Sequence, residues 1–147
     1  MGESRKRSKR KSKNRVLHSS WRARVPTHWG RKTWDALFLL AADYPHVQEC
    51  KDDDPFPQRV ILERRRAWRK MLLSLPGILS CGVCSDHFQR YMERDGGRPM
   101  ERALQDRESL LEWLYKAKDE VNERNGTKRP RFEDIRRKYV PKCTNHV

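Results

Sequence analysis

No apolar run in this 147-residue chain approaches the roughly 20 residues that a bilayer-spanning helix requires. The basic start is not followed by the apolar core of a secretory signal either, so a soluble, unsecreted protein is expected. No period-2 apolar pattern is long enough for a strand, and no internal repeat is present, which leaves sheets and solenoids without support. Acidic residues are scarce, 20 against 34 lysines and arginines, for a formal charge of +14. Such a balance attracts nucleic acid, anionic membrane or an acidic partner unless it is confined locally. Here it is confined. Residues 1–24, "MGESRKRSKRKSKNRVLHSSWRAR", hold ten bases against Glu3 alone, nine of the fourteen net charges. So polar a segment has nothing to bury, and a disordered basic arm is expected over residues 1–25, suited to nucleic acid or nuclear import. Cysteine is sparse as well: Cys50, Cys81, Cys84 and Cys143. In a chain with no export signal, four cysteines argue for metal or redox chemistry rather than a disulfide framework.

What remains can fill one modest core, because 35% of the chain is apolar and five residues are tryptophan. A single folded domain is expected over residues 26–140, followed by a tail over 141–147. The stretch "PTHWGRKTWDALFLLAADYP" offers Thr27 as N-cap, then Gly30, Trp34, Leu37, Phe38 and Ala41 at helical spacing, and stops at Tyr44-Pro45. After an acidic, proline-bearing loop, Ile61, Ala67, Trp68, Met71, Leu72 and Leu75 outline an arginine-rich second helix that Pro76-Gly77 should end. Cys84, His87, Phe88, Tyr91 and Met92 share one face of a third helix, finished before Gly96-Gly97. A fourth helix is expected from the run "MERALQDRESLLEWLYKAKDEVNERN", with Leu104, Leu110, Leu111, Leu114, Ala117 and Val121 inward and Asn125-Gly126 as its stop. The predicted fold class is all-α, a four-helix bundle with a short charged segment (Phe132, Ile135, Tyr139) behind it.

The chemistry concentrates in "SCGVCSDHF". A C-x-x-C pair across the first turn of a helix suits a dithiol–disulfide cycle: the sulfurs can meet, and the unpaired N–H groups and macrodipole favour a thiolate. The same residues could instead give three zinc ligands, Cys81, Cys84 and His87, with Cys143, Cys50 or His146 as the fourth. Such a site would stabilise a nucleic-acid-binding module. Two unreactive buried thiols are the third reading, and spacing alone does not choose among them.

Three segments taken together do. "WGRKTWDALFLLAADYP" at 29–45, "CGVCSDHF" at 81–88 and "WLYKAKDEVN" at 113–122, in this order and spacing, resemble the ERV/ALR family of FAD-linked sulfhydryl oxidases. The resemblance implies four helices plus a short fifth around the flavin of FAD. It assigns catalysis to Cys81, the outer interchange thiol, and Cys84, the thiol against the flavin. It places Gly30, Arg31, Trp34, Phe38, Cys84, His87, Lys118, Val121, Asn122 and Lys128 around the cofactor, and no metal. This chain departs from the family pattern at Phe38, where cellular members usually have histidine, at Lys118-Asp119 in place of His-Asn, and at Tyr115 in place of a structural cysteine. Such a reduced version of the fold points to a member from a large DNA virus, located in the host cytoplasm or nucleus or in the virion.

The implied activity is FAD-dependent oxidation of protein thiols to disulfides, with electrons passed to O2 and hydrogen peroxide released. The partners so implied are reduced proteins, O2 and a second copy of the chain. Leu39, Leu40, Trp68 and Leu72 supply more apolar surface than one small bundle needs, so a two-fold homodimer is expected.

Overall fold

The face that carries Leu37, Phe38 and Ala41 winds as the first helix, α1 (Gly30–Ala42), and all three side chains are buried. The computed structural model describes residues 29–46, 55–79 and 81–142, so the arm, Thr27, Cys50, Cys143 and His146 lie outside the described residues. At the start of α1 the cap position is Trp29, with no side-chain cap; the Thr33 hydroxyl donates to the Trp29 carbonyl at 2.9 Å.

The second helix, α2 (Gln58–Ile78), buries Trp68, Leu72 and Leu75 and runs past the proline expected to stop it. Pro76 costs the ladder one N–H near its end, and the helix closes two residues later with its last carbonyls satisfied. The Leu79 N–H donates to the Leu75 carbonyl, and the Ser85 hydroxyl donates to the Pro76 carbonyl at 2.6 Å. Ser85 belongs to α3 (Gly82–Glu93), so this bond fastens the end of one helix to the beginning of the next.

After α3 the chain reverses through a 3-10 turn, Arg94–Gly97, in which Asp95, Gly96 and Gly97 all have positive φ. Glycine adopts that backbone without the Cβ penalty, which is why two of the three positions carry it. The expected fourth helix is in fact two. A short α4 (Arg98–Ala103) ends at Leu104, and α5 (Arg107–Asn125) restarts from Asp106. The Asp106 carboxylate accepts from both the backbone N–H and the hydroxyl of Ser109, each at 2.9 Å, so an N-cap signal inside a continuous apolar pattern breaks the helix. The corner is held from outside: the Leu104 carbonyl accepts from the Tyr44 hydroxyl at 2.7 Å and from Arg65 Nε at 3.1 Å. Gly126, left-handed at φ 62°, caps α5, and the charged segment beyond it forms α6 (Phe132–Tyr139).

Helix α1 packs on α5 and α6, α2 on α3, and α4 and α6 on α5. The four long helices make the expected bundle, α6 is its short fifth helix, and among the described residues there is no strand. Nor is any described helix long and apolar enough to cross a membrane. Tyr115, at the position where the family pattern has a structural cysteine, instead donates its hydroxyl to the Pro130 carbonyl at 3.0 Å and packs its ring on Phe132. A hydrogen bond and a ring contact thus hold α6 against α5.

Asp35 supplies the other fastening of α6. It accepts from the Tyr139 hydroxyl and from Lys138 Nζ at 3.3 Å. The Tyr139 hydrogen bond, the largest influence, holds the Asp35 carboxyl below its ordinary range. A folded-state pKa below the unfolded value contributes stability that is complete above about pH 4 and is lost as pH falls through the folded value. Asp35→Asn is therefore expected to cost about 1 kcal/mol at pH 7, read as a Tm lower by about 4–8 °C. The difference from the parent should shrink toward pH 3 in thermal melts.

Candidate functional site

The loop between α2 and α3 is only three residues long, so Cys81 is delivered directly to the α3 N-cap in an extended conformation. Its Sγ accepts the Cys84 backbone N–H at 3.2 Å, where a capping oxygen would otherwise sit. Cys81 and Cys84 are joined in a disulfide, with Cα atoms 5.2 Å apart. The first turn of α3 carries no acid, so nothing there opposes the macrodipole's preference for a thiolate. Both cysteines are half-buried.

What the disulfide faces follows from depth along the bundle. α1 begins at the end where α5 finishes, and its far end meets the start of α5 through the Arg107 N–H and the Pro45 carbonyl. Two sets of contacts give levels along α5: Lys118 Nζ lies 5.7 Å from the centre of the Phe38 ring in α1, and Trp113 packs on Tyr91 and Phe88 of α3, while Arg94 just past α3 pairs with Glu120 at 2.5 Å. Below those levels the core is closed, with Ala41, Leu110, Leu114 and Met92 all buried. Toward the starts of α1 and α3 and the end of α5, Trp34, Cys84, His87, Val121 and Asn122 are half-buried. These half-buried helix ends, with the disulfide, an indole, an imidazole and an aliphatic side chain, are the candidate cofactor mouth.

The remaining expected residues fall at different depths. Gly30 is half-buried and Arg31 exposed at the start of α1. Phe38 is fully buried, stacked on Tyr139 at 5.2 Å and tilted against Trp34 at 6.3 Å, so it forms the floor beneath the mouth. Lys118 covers it, with a pKa lowered first by burial and then by Lys138 and Arg31, while Asp35 opposes the fall. His87 is likewise held below its usual value by burial first and then by Arg124 and Arg90, which favours a neutral ring. Lys128 is exposed. Its neighbour Arg129 is committed to Asp119 at 2.6 and 2.8 Å and to Glu123 at 3.0 Å, a fork that fixes the turn between α5 and α6. The side-chain oxygen of Asn122 accepts from the Thr127 hydroxyl in the same turn.

Sequence reasoning passed over Asp35, Tyr139 and Trp29. Tyr139 closes the Phe38 floor, and its only signal was an aromatic seven residues after Phe132. Trp29 sits just before Gly30, and its indole N–H is buried with no hydrogen-bond partner. A donor left unsatisfied beside the mouth, an aromatic rim and a desolvated cation below it suit a large planar, polar and anionic group, the chemistry of a flavin nucleotide. Of the apolar residues expected in excess, Trp68 and Leu72 are buried and belong to the core, whereas Leu39 and Leu40 are 58% and 51% exposed. For the zinc reading, no group of three or more His, Cys, Asp or Glu side chains is gathered among the described residues.

Residues 31–140 match the Erv1/Alr family. The mitochondrial FAD-linked sulfhydryl oxidase erv1 of Schizosaccharomyces pombe is 30% identical over 97 residues, which is 66% of this chain and 45% of that protein. The chain thus spans less than half the length of that curated relative. The crystal structure of the yeast Erv1 core superposes with a TM-score of 0.61 at 20% identity, over 79% of this chain and 84% of the other. That likeness is one of fold.

Proposed function

Since the chain belongs to the Erv1/Alr family, we propose that it is an FAD-dependent thiol oxidase that makes disulfides in reduced proteins through Cys81 and Cys84. The observation that carries the reading is the half-buried Cys81–Cys84 disulfide at the start of α3 in a chain of this family. A substrate thiolate attacks Cys81 Sγ; a substrate–Cys81 disulfide forms as the Cys81–Cys84 bond breaks, and Cys84 takes the electron pair as a thiolate. The second substrate thiol loses its proton and attacks the substrate sulfur of that mixed disulfide. Cys81 then leaves as a thiolate, stabilised by the Cys84 N–H and the α3 N-terminus, which eases product release. Substrate has lost two electrons and two protons, and the enzyme holds a dithiol. FAD, when bound, accepts the electron pair and passes it to O2 to give hydrogen peroxide. Trp34, Val121 and Cys84 would border its ring and Trp29 would donate a hydrogen bond to it. His87, neutral by burial, would line the mouth without adding charge. Arg31, Lys118 and Lys128 would hold its phosphates and adenine end.

A spectrum between 350 and 600 nm of the purified protein, followed by thiol-dependent oxygen uptake, tests the proposal. Flavin absorption and peroxide release are expected. A colourless protein with stoichiometric zinc and no oxygen uptake would return the C-x-x-C to a metal-binding role.

The exposed pair Leu39 and Leu40 supports a homodimer through α1. Sedimentation should give a dimer at micromolar concentration and a monomer for Leu39→Glu/Leu40→Glu, and a monomeric parent would remove this part of the reading. Nucleic-acid binding is assigned to the basic arm, so a chain beginning at Pro26 should keep flavin and turnover while losing salt-sensitive binding to DNA.

A further inference from the structure

Disulfide exchange brings a substrate sulfur within bonding distance of Cys81, so whatever surface surrounds Cys81 is covered by the substrate during each turnover. That surface is unusually apolar for an exposed one. Ile78, three residues before Cys81, is 73% exposed, and Val83, two residues after it, is 43% exposed. Beyond Gly77 lies a groove of about 440 Å³ between α2, the end of α3 and α4, lined by Leu73, Pro76, Met92 and Met100 together with the polar Gln89 and Glu93. The Arg69–Glu101 ion pair, at 2.6 Å, stands at the end away from the disulfide.

Along the same side of α2 the character changes from apolar to cationic. Arg66, Arg69, Lys70, Leu73 and Gly77 form one stripe at helical spacing, opposite the buried Trp68, Leu72 and Leu75, and all five are exposed. α2 holds six bases and the single acid Glu63. Its net charge of +5 equals the whole excess that the chain carries beyond the N-terminal arm. Three of the six are engaged by carboxylates: Arg59 by Glu63, Arg64 by Asp43 and Arg69 by Glu101. Arg65 is turned to the Leu104 carbonyl. Arg66 and Lys70 face outward. A second copy is the wrong occupant, because a two-fold contact would lay the middle of α2 against the same cations of its partner.

Resting on the function proposed above, we infer that this side of α2 docks the cysteine-bearing segment of a reduced protein substrate. Apolar side chains beside the reactive cysteine meet Ile78 and Val83 at the end of α2, the next along meets Leu73, and acidic side chains further along meet Lys70 and Arg66. The helix rise of about 1.5 Å puts Lys70 roughly 12 Å and Arg66 roughly 18 Å along α2 from Ile78. An extended substrate advances about 3.4 Å per residue, so the acids stand roughly four to six residues from the cysteine.

The test compares the full-length protein with Arg66→Glu/Lys70→Glu on three probes: dithiothreitol, a dithiol peptide with aspartates four to six residues either side of its cysteines, and the same peptide with lysines there. The parent should favour the aspartate peptide, with the advantage eroding as salt rises. The variant should lose about tenfold or more in kcat/KM for that peptide, through KM, gain on the lysine peptide, and oxidise dithiothreitol unchanged. Should the double reversal not fold, Arg66→Gln/Lys70→Gln and the salt dependence of the parent carry the same comparison. Equal use of the two peptides by the parent overturns the inference. So does a variant altered only in its sedimentation, which would make the face an interface between copies, or only in its affinity for DNA. A parent inactive even on dithiothreitol would instead sink the oxidase reading itself.

Discussion

Cys84→Ala is expected to lower thiol-dependent oxygen uptake more than about a thousandfold, the scale on which loss of a covalent catalytic group is felt, while the protein stays yellow. The geometry separates the two effects. In the proposed cycle Cys84 takes the electron pair from the substrate-linked disulfide, but it is one small half-buried side chain among those, Trp34, His87 and Val121 with it, proposed to surround the flavin. Cys81→Ala should stop oxidation of protein thiols to the same extent and leave the Cys84 thiol in place. Oxygen uptake and the flavin spectrum, measured on both variants, check this, and full activity in Cys84→Ala would end the mechanism.

Trp113→Ala is expected to be the most damaging single change to the fold, costing about 3–5 kcal/mol as large aromatic truncations in cores do. Trp113 is 6% exposed and meets Phe88 and Tyr91 of α3, and its carbonyl accepts the Tyr91 hydroxyl at 2.8 Å. Burial pushes the Tyr91 hydroxyl well above its usual pKa, so it stays a neutral donor throughout the physiological range. Trp34→Ala should behave in the opposite way. Its side chain is only partly buried against the core and is assigned to the flavin in the proposed site, so flavin retention should suffer more than the denaturation midpoint. Urea denaturation followed by circular dichroism, alongside flavin content, distinguishes the pair, and equal stability losses would mean that Trp34 is core.

The bundle was legible because each long helix declares itself by apolar spacing, and the C-x-x-C at the α3 start was legible for the same reason. The breaks were not. Pro76 reads as a stop, yet α2 keeps two more residues, and the bond from Ser85 to the Pro76 carbonyl that fastens its end is a tertiary contact with no local trace. The α4–α5 corner was hidden the other way, since Leu104 continues the apolar pattern across it and only Asp106 with Ser109 marks the restart. Assigning Trp68 and Leu72 to an outer face failed because apolar content says how much can be buried, not which side of α2 does it. Tyr139 and Asp35 meet across 104 positions of chain, a distance at which pattern carries no information.

The partners of α1 also set the order in which the molecule can be made. Its buried face rests on α5 and α6, and Tyr44 closes on Leu104, 60 residues downstream. On a ribosome, the first helix emerges long before anything able to cover it. Leu37, Phe38 and Ala41 must wait for nearly the whole chain, whereas α2 and α3 can pair as soon as their short loop is out. Closure of contacts so far apart in sequence comes late, because the long loop between them must be closed first. It also means that both cysteines are exposed to the cell's thiol chemistry before the mouth they serve has been assembled.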